Sequence, residues 1–364
     1  MKRAYKIIGS ETTPRETNKM GNGFRTSPLG GIAAPPYTTG PYTFSEDIVF
    51  SSATIVGNEG AAWFVDGTNG LSTNTGKGWS DALNTIQAAV TLAGPGDNIY
   101  ITAKDITDFT GDPTSYEENI IIPPATSSLS LIGVSRGRTQ GGLPQLKDGT
   151  ETTAAILTIR APGCLIANLG FNGSGNTGGG ILLDADASTK DAAGTSIIGC
   201  HFKNCKGSTA TSAVTGGAIM WSAEGMCWQT LISGNRFYRN VADIVVKGSS
   251  TMRPQDCIIE NNVFTSPGSV CDCNLFLKGT GSGVEGFVIR NNVFPSVPSL
   301  GGTNDVFIDA TGSLNCIMTG NTFGTSTTLT FGAAGSGALI PTTMLMTANF
   351  RETTTGVNGE VFRT

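Results

Sequence analysis

The second half of the chain repeats one short phrase, and this repeat constrains the fold more than any other feature. Each copy ends in a phenylalanine, and successive phenylalanines lie 27 to 35 residues apart. The copies are LIANLGF, IIGCHF, ISGNRF, IIENNVF, VIRNNVF, IMTGNTF and, less closely, MLMTANF, ending at Phe171, Phe202, Phe237, Phe264, Phe294, Phe323 and Phe350. A fixed phrase at variable spacing is typical of a solenoid, in which each repeat buries its apolar face only against its neighbours.

Aligning the copies on the phenylalanine produces columns of like residues. An aliphatic residue stands five positions before it, asparagine stands two positions before it at Asn235, Asn262, Asn292 and Asn321, and cysteine stands seven positions before it at Cys164, Cys257 and Cys316. Short β-branched runs ended by Gly, Asn or Ser predict strands and turns. Residues one turn apart should stack about 4.8 Å from each other. We therefore expect Phe and Ile to fill the bore and Asn to form a ladder at a corner that tolerates left-handed backbone.

This pattern resembles the right-handed parallel β-helix of the pectate-lyase-like superfamily, a fold used by polysaccharide lyases and by phage tailspikes. The columns alone predict a β-solenoid, and its handedness is what the resemblance implies. The series WFVDGTNG, GWSDALNTIQAAV and GPGDNIYI is similar to the openings of many β-helix proteins, in which an amphipathic helix covers the open end of the bore. We expect an all-β, right-handed parallel β-helix over residues 61–364, with a capping helix around residues 80–93 that begins at Ser80 and stops at Gly94-Pro95.

Residues 1–60 predict an extended N-terminal arm. They are rich in Thr, Gly and Pro, show no helical period and could not bury enough surface to order themselves alone. The arm would bind a neighbouring subunit or another protein, or fold back along its own solenoid. The sequence contains neither an apolar core of signal-peptide length at its N-terminus nor a run of eighteen apolar residues, so we expect neither Sec export nor membrane insertion.

Composition excludes several function classes. The net charge of −5 gives no electrostatic case for nucleic-acid binding. A single histidine, His201, argues against His-based catalysis and His-rich metal sites. The eight cysteines share repeat columns or lack a partner CxxC, so we expect buried, reduced thiols, folding in a reducing cytosol, and no metal or other cofactor.

The residues that follow each copy predict a second stacked strand. Their pattern also predicts which side chains of this strand face outward. We take as inward Leu183, Met220, Val246, Leu277 and Ile308. The residues just before these form an apolar column on the outer wall: Leu182, Ile219, Val245, Phe276 and Phe307. Because a monomer in water should avoid such a column, a sister subunit in a homotrimer, or the arm, should cover it. If the phase is wrong by one residue, this column is core and the expectation fails.

An enzyme of this fold would need paired carboxylates about 5 to 9.5 Å apart. Asp184 and Asp309 share a predicted column but lie about 19 Å apart, which excludes that pair. The candidate acids are instead Asp184, Asp186 and Glu224, with Trp221 offering a flat surface for a sugar ring and Lys247 and Lys278 as further glycan contacts. The alternative is a solvated acidic turn with an aromatic residue in a subunit contact, and it is favoured over catalysis. Glu260 and Arg290 predict an ion pair between neighbouring turns.

Together these features favour a virion protein, of a phage: a spike, fibre, or capsid or tail decoration component, assembled in the host cytoplasm and attached to other virion proteins by its arm. It would act by self-association and by contact with a host surface polysaccharide, without turnover. The alternative is a tailspike-type polysaccharide depolymerase, a glycosidase or lyase, with its site near Asp184 and Glu224. A bacterial polysaccharide lyase is disfavoured because no export signal is evident.

Overall fold

The computed structural model describes residues 60–104, 114–134, 142–186, 190–223, 227–247, 253–278, 283–300, 306–324, 332–333, 336–338, 343–351 and 359–361. Ala61–Thr364 form one compact unit. The predicted N-terminal arm lies outside the described residues, apart from Gly60.

Three long sheets, of ten, seven and ten strands, run along the described part of this unit, and each middle turn of the chain adds one strand to each sheet. The first sheet contains Ala62–Val65, Asn98–Thr102, Ser130–Val134, Leu165–Ala167, Ser196–Ile198, Leu231–Ser233, Ile258–Glu260, Val288–Arg290, Ile317–Thr319 and Leu345–Thr347. The second contains Ile120–Ile122, Leu157–Ile159, Ile181–Leu183, Ile219–Trp221, Ala242–Val246, Cys273–Phe276 and Val306–Asp309. The third contains Tyr116–Glu117, Gln145–Lys147, Gly170–Asn172, His201–Lys203, Arg236–Tyr238, Val263–Phe264, Val293–Phe294, Thr322–Phe323, Asn349–Arg351 and Gly359–Val361.

Neighbouring strands in these sheets pair in parallel, except the last pair of the third sheet, which is antiparallel. Two short antiparallel pairs stand apart from them: Ala185–Asp186 with Lys190–Asp191, and Gly332–Ala333 with Ser336–Ala338. The predicted all-β parallel β-helix is thereby confirmed.

Six phenylalanines of the repeat stack in the bore as predicted. The rings of Phe171, Phe202, Phe237, Phe264, Phe294 and Phe323 are fully buried. Centroids of successive rings are 4.6 to 5.1 Å apart, and their planes differ by 15° or less. Because the ring spacing matches the strand spacing, one aromatic per turn fills this part of the bore.

The predicted asparagine ladder lies at the corner between the first and third sheets. Asn262 accepts hydrogen bonds from the backbone N–H (2.9 Å) and the side-chain Nδ2 (3.1 Å) of Asn235. It donates through Nδ2 to the carbonyl of Ile232 (3.0 Å) and to Oδ1 of Asn292 (3.0 Å). The left-handed backbone stands one residue earlier than the ladder, at Asn168, Gly199, Gly234, Asn261, Asn291 and Gly320. Glycine and asparagine occupy that position because they tolerate positive φ.

The last copy of the phrase departs from the prediction. Met346, not Leu345, pairs in register with Met318, and Asn349 continues the ladder by accepting from Asn321. This copy has one residue fewer between its asparagine and its phenylalanine. Phe350 therefore faces outward with 47 % of its surface exposed, and Leu345 also faces outward.

Helix α1 (Ile86–Leu92) packs on the early strands and buries Ile86, Ala89 and Val90 in the main core. It is shorter than predicted: a separate 3-10 turn, Trp79–Asp81, takes up the Ser80 region, and Thr85 is the N-cap. The Glu118 carboxylate completes the cap by accepting from the backbone N–H groups of Ile86 (2.9 Å) and Gln87 (2.8 Å). No helix among the described residues has the length and apolar character to cross a bilayer.

The phase predicted for the second sheet is wrong at two strands. Strand pairing aligns Trp221 with Leu183 and Val246, so Ile219 faces inward and Met220 faces outward. Phe307 also lies in the main core, against the rings of Phe294 and Phe323. The sequence does not fix the phase here, because strands such as IMW and ILL are apolar at every position and allow either face to point inward.

The actual outer column of this sheet includes Leu182, Met220, Val245 and Phe276. Residues of the chain itself cover part of it. Ala213, in the 3-10 turn Ala213–Thr215, joins the same apolar cluster and donates its N–H to Oδ2 of Asp272 (2.7 Å). The argument that a sister subunit must cover this column is therefore lost, although the trimer itself stays a prediction.

All eight cysteines are buried free thiols. Burial raises the pKa of Cys164, Cys200, Cys205 and Cys257 to about 12, so these thiols are uncharged packing groups. This agrees with the structural role predicted from their shared columns.

Candidate functional site

The acids singled out in the sequence do not form an open site among the described residues. Asp184 is mostly buried and forms an ion pair with Arg160, whose Nε lies 3.0 Å from its Oδ2. Asp309 pairs in register with Phe276, so it does not share a column with Asp184. The Asp186 side chain and Glu224 lie outside the described residues, and their roles stay predictions.

Trp221 cannot offer a stacking surface for a sugar. Its side chain is fully buried in the bore and packs against Phe287 with ring centroids 5.7 Å apart. The expectation that it faces outward followed from the wrong phase in the second sheet and is wrong for that reason.

Lys247 and Lys278 follow the inward residues Val246 and Leu277 and lie on the outer wall. Lys247 is half-buried beside a cavity of about 370 Å³ that Leu182, Val214 and Phe276 also line. Burial lowers the pKa of this ammonium group. Lys278 is exposed. Both are placed to meet a ligand, but their role in glycan binding stays a prediction.

A larger polar groove lies on the third sheet, near α1. It has a volume of about 580 Å³ and is lined by Asn84, Thr85, Lys104, Thr114, Ser115, Glu117, Glu118, Lys147, Asn172 and Ser174. Three of these stand in one outward column, because strand pairing aligns Glu117 with Lys147 and Lys147 with Asn172. The groove therefore lies on the outer surface of regularly spaced parallel strands.

The side chains of the polar groove are positioned by specific contacts. Lys147 Nζ lies 3.6 Å from the carboxylate of Glu117. Lys104 places its ammonium 5.0 Å from the centroid of Tyr116, whose hydroxyl donates to the carbonyl of Thr102 (2.8 Å). Oδ1 of Asn84 is buried and has no hydrogen-bond partner among the described residues. Amide, hydroxyl, ammonium and carboxylate groups converge here, as in sites that recognise a hydroxyl-rich ligand.

The column continues beyond the polar groove as a face with cations and an aromatic residue. Lys203 aligns with Asn172, and Tyr238 aligns with Lys203. Two positions earlier on the same strands, His201 aligns with Arg236 in a second outward column. We call the outward residues of these strands, from Glu117 to Tyr238, the polar face.

His201 is a titratable group of the polar face whose pKa is shifted. Burial, followed by the charges of Lys203 and Arg236, lowers the pKa of its imidazole to about 4. The imidazole is therefore uncharged at neutral pH and is a weaker base than an ordinary histidine. The sequence did not predict that His201, Arg236 and Tyr238 meet on one face, although all three flank repeat phenylalanines.

Two further findings concern charged side chains. Glu260 and Arg290 form the predicted ion pair, with Arg290 Nη2 2.6 Å from Glu260 Oε2. Within the described ranges, no three His, Cys, Asp or Glu side chains converge in the way that a metal site requires.

No known protein family and no curated protein matches the sequence. Among solved structures, an alginate lyase from Paenibacillus sp. str. FPU-7 is similar at 16 % identity and a TM-score of 0.47, over 66 % of this chain and 73 % of that one. The Escherichia coli protein ybhc is 11 % identical, with a TM-score of 0.44 and 95 % of each chain covered. A lacto-N-biosidase from Eubacterium ramulus is 12 % identical, with a TM-score of 0.33, over 80 % of this chain and 67 % of that one. At this level of similarity, none of these activities carries over to the chain.

Proposed function

We propose that the polar face binds a polysaccharide, and that the protein is a β-helical spike, fibre or decoration component of a virion that contacts a host glycan through this face. Residues 1–60 would attach it to other virion proteins. The observation that carries the glycan proposal is the polar groove opening onto a straight wall of polar and aromatic side chains. A rigid wall with a repeat of about 4.8 Å suits an extended polymer that runs along the solenoid axis.

The charges of the polar face favour an acidic glycan. Lys104, Lys147 and Arg236 supply positive charge, and the carboxylate of Glu117 already pairs with Lys147. Lys203 is buried and is not counted among them. Ammonium and guanidinium groups bind carboxylate or sulfate groups through charge-assisted hydrogen bonds. Tyr238 is partly exposed and adds an aromatic surface on which a sugar ring can pack.

A binding assay on the full chain tests this proposal. We expect immobilised protein to bind an acidic polysaccharide such as alginate or polygalacturonate more tightly than neutral dextran, with affinity that falls as salt is raised. The double variant Lys147→Ser/Arg236→Ser should weaken binding at least 10-fold, because both side chains point from the polar face.

The matched control is Arg290→Ser, which removes an exposed cation from the first sheet and should leave the affinity unchanged. Equal loss in the control and the double variant would contradict the assignment to the polar face. Absence of binding to every acidic and neutral glycan in a broad panel would contradict glycan recognition itself.

A lyase-type depolymerase is the second candidate, favoured by one observation. His201 and Arg236 lie in register on neighbouring strands of the third sheet, so a neutral imidazole, although a weak base, stands beside a cation. In uronate elimination, a base removes the proton next to the carboxylate and a cation stabilises the resulting charge. A C=C bond then forms as the glycosidic C–O bond breaks, and the leaving oxygen takes a proton from water. The same incubations would then release unsaturated products, detected by ultraviolet absorbance, and His201→Ala would abolish them without abolishing binding. Binding without such products favours the virion role without turnover.

A further inference from the structure

The outer wall of the first sheet carries a straight aliphatic column. The first residue of each strand faces outward, and in seven successive strands it is Leu165, Ser196, Leu231, Ile258, Val288, Ile317 and Leu345. We call the six aliphatic members the aliphatic stripe. None of its positions carries a charge, and exposure is greatest at the C-terminal end, where Ile317 is 38 % and Leu345 is 56 % exposed.

Further apolar side chains stand beside the aliphatic stripe. Trp228 and Leu314 stand at the two ends of a neighbouring column, three positions before Leu231 and Ile317, and are 46 % and 38 % exposed. The column between them holds Gln255 and Glu285, and the Glu285 carboxylate pairs with Arg253. On the other side, the charges of Glu260 and Arg290 neutralise each other within the chain. Water-exposed apolar columns of this length are uncommon on monomers and mark interaction surfaces.

We propose that the aliphatic stripe is the surface on which a second copy of this chain packs, with the two solenoids side by side and parallel. A second copy presents the same column with the same repeat of about 4.8 Å, so aliphatic residues of the two walls can meet one for one along their length. The neutral flanks create no like-charge repulsion between copies. The second sheet does not compete for this role, because the chain itself covers part of its apolar column.

The size of the band sets the expected strength of association. Seven turns span about 29 Å, and three columns across give about 500 Å² on each copy, near the lower end for specific interfaces. We therefore expect association that depends on protein concentration in the micromolar range. A closed trimer with the three aliphatic stripes at its centre would bury the stripe of every copy. This inference does not rest on glycan binding, which uses a different sheet.

Sedimentation velocity and light scattering of the full chain across a concentration series test the proposal. We expect masses above the 37.6 kDa of one chain. The variant Ile317→Lys/Leu345→Lys should weaken association at least 100-fold, because both side chains are already exposed and a charge there opposes packing of two copies. Far-UV circular dichroism should show an unchanged fold.

The control is Ile121→Lys, which places the same charge at an equally exposed isoleucine (45 %) on the second sheet and should leave association unchanged. A parent chain that stays monomeric at 100 µM would overturn the proposal. Assembly of the Ile317→Lys/Leu345→Lys variant with parental affinity would overturn it too, since another surface would then be responsible. Loss of folded structure in that variant, with Ile121→Lys intact, would show that the chain covers its own stripe and would equally overturn it.

Discussion

Replacing Phe264 with alanine is expected to destabilise the protein by about 4 kcal/mol, the usual cost of truncating a fully buried phenylalanine. Its ring lies between those of Phe237 and Phe294, with centroids 4.8 and 4.6 Å away, so both neighbours lose a stacking partner. Each turn contacts only the next turns, and a cavity in a middle turn also weakens the coupling between the two ends. Urea unfolding followed by far-UV circular dichroism should show a lower midpoint and a broader transition.

The matched control is Phe350→Ala, which changes the phenylalanine of the same repeated phrase where that residue is half exposed. It should cost less than about 1 kcal/mol, because an exposed ring loses little burial. Equal destabilisation by the two substitutions would mean that Phe264 does not lie in a packed bore.

Lowering the pH from 7 to 4 is expected to increase the contribution of one buried carboxyl group, that of Asp243, to the free energy of unfolding by about 3 kcal/mol. The carboxylate accepts hydrogen bonds from Asn240 Nδ2 (3.0 Å), Ser266 Oγ (3.0 Å) and Asn274 Nδ2 (2.8 Å). Complete burial outweighs these donors and raises the pKa of Asp243 from 3.8 to about 7.

The direction follows from proton binding. Between pH 4 and pH 7 the folded state holds a proton on Asp243 that the unfolded state has released, so stability falls as pH rises through this window and is level above it. His201 acts in the opposite sense, because its folded pKa of about 4 lies below the unfolded value of 6.5. The effect of Asp243 must therefore be read as a difference between variants.

Asp243→Asn isolates that difference. An amide is uncharged at every pH. Asn274 can rotate its own amide to pair with it, since Oδ1 of Asn274 has no hydrogen-bond partner in the part of the chain that the structure describes. We expect the free energy of unfolding of the variant, relative to the parent, to increase by about 1 kcal/mol per pH unit from pH 4 to 7. The control variant is Asp256→Asn, which removes one carboxyl group at an exposed position. Parallel pH profiles for the parent and Asp243→Asn would show that this carboxyl group titrates normally.

The asparagine and phenylalanine columns could be predicted from the sequence because only one residue type suits each of these positions. The side-chain amides of Asn262 and its equivalents form the hydrogen bonds of the backbone at the corner, and Phe264 and its equivalents fill the bore. The same residue type therefore recurs at the same position of each repeat. The column of Cys164, Cys257 and Cys316 could be predicted for the same reason, because a small apolar side chain is buried at that position.

The second sheet could not be phased from the sequence because it is apolar on both faces. With Ile219 inward and Met220 outward, both side chains are buried, so alternation gives no signal there. The outward position of Trp221 was wrong for this reason. The polar face was missed because its members, such as Lys147 and Asn172, come from different turns and meet only once the strands are paired.

The stacking of one turn on the next can be measured with an engineered disulfide. Val263 and Val293 are paired neighbours on the outer wall of the third sheet, at the spacing of about 4.8 Å between strands that a disulfide can bridge. Thr322 lies one turn further on, about 9.6 Å from Val263 and beyond disulfide reach.

We expect Val263→Cys/Val293→Cys to lose two thiols and two mass units under mild oxidation, and Val263→Cys/Thr322→Cys to keep both thiols. Cross-linking of the second pair as readily as the first, or of neither, would contradict the stacked register.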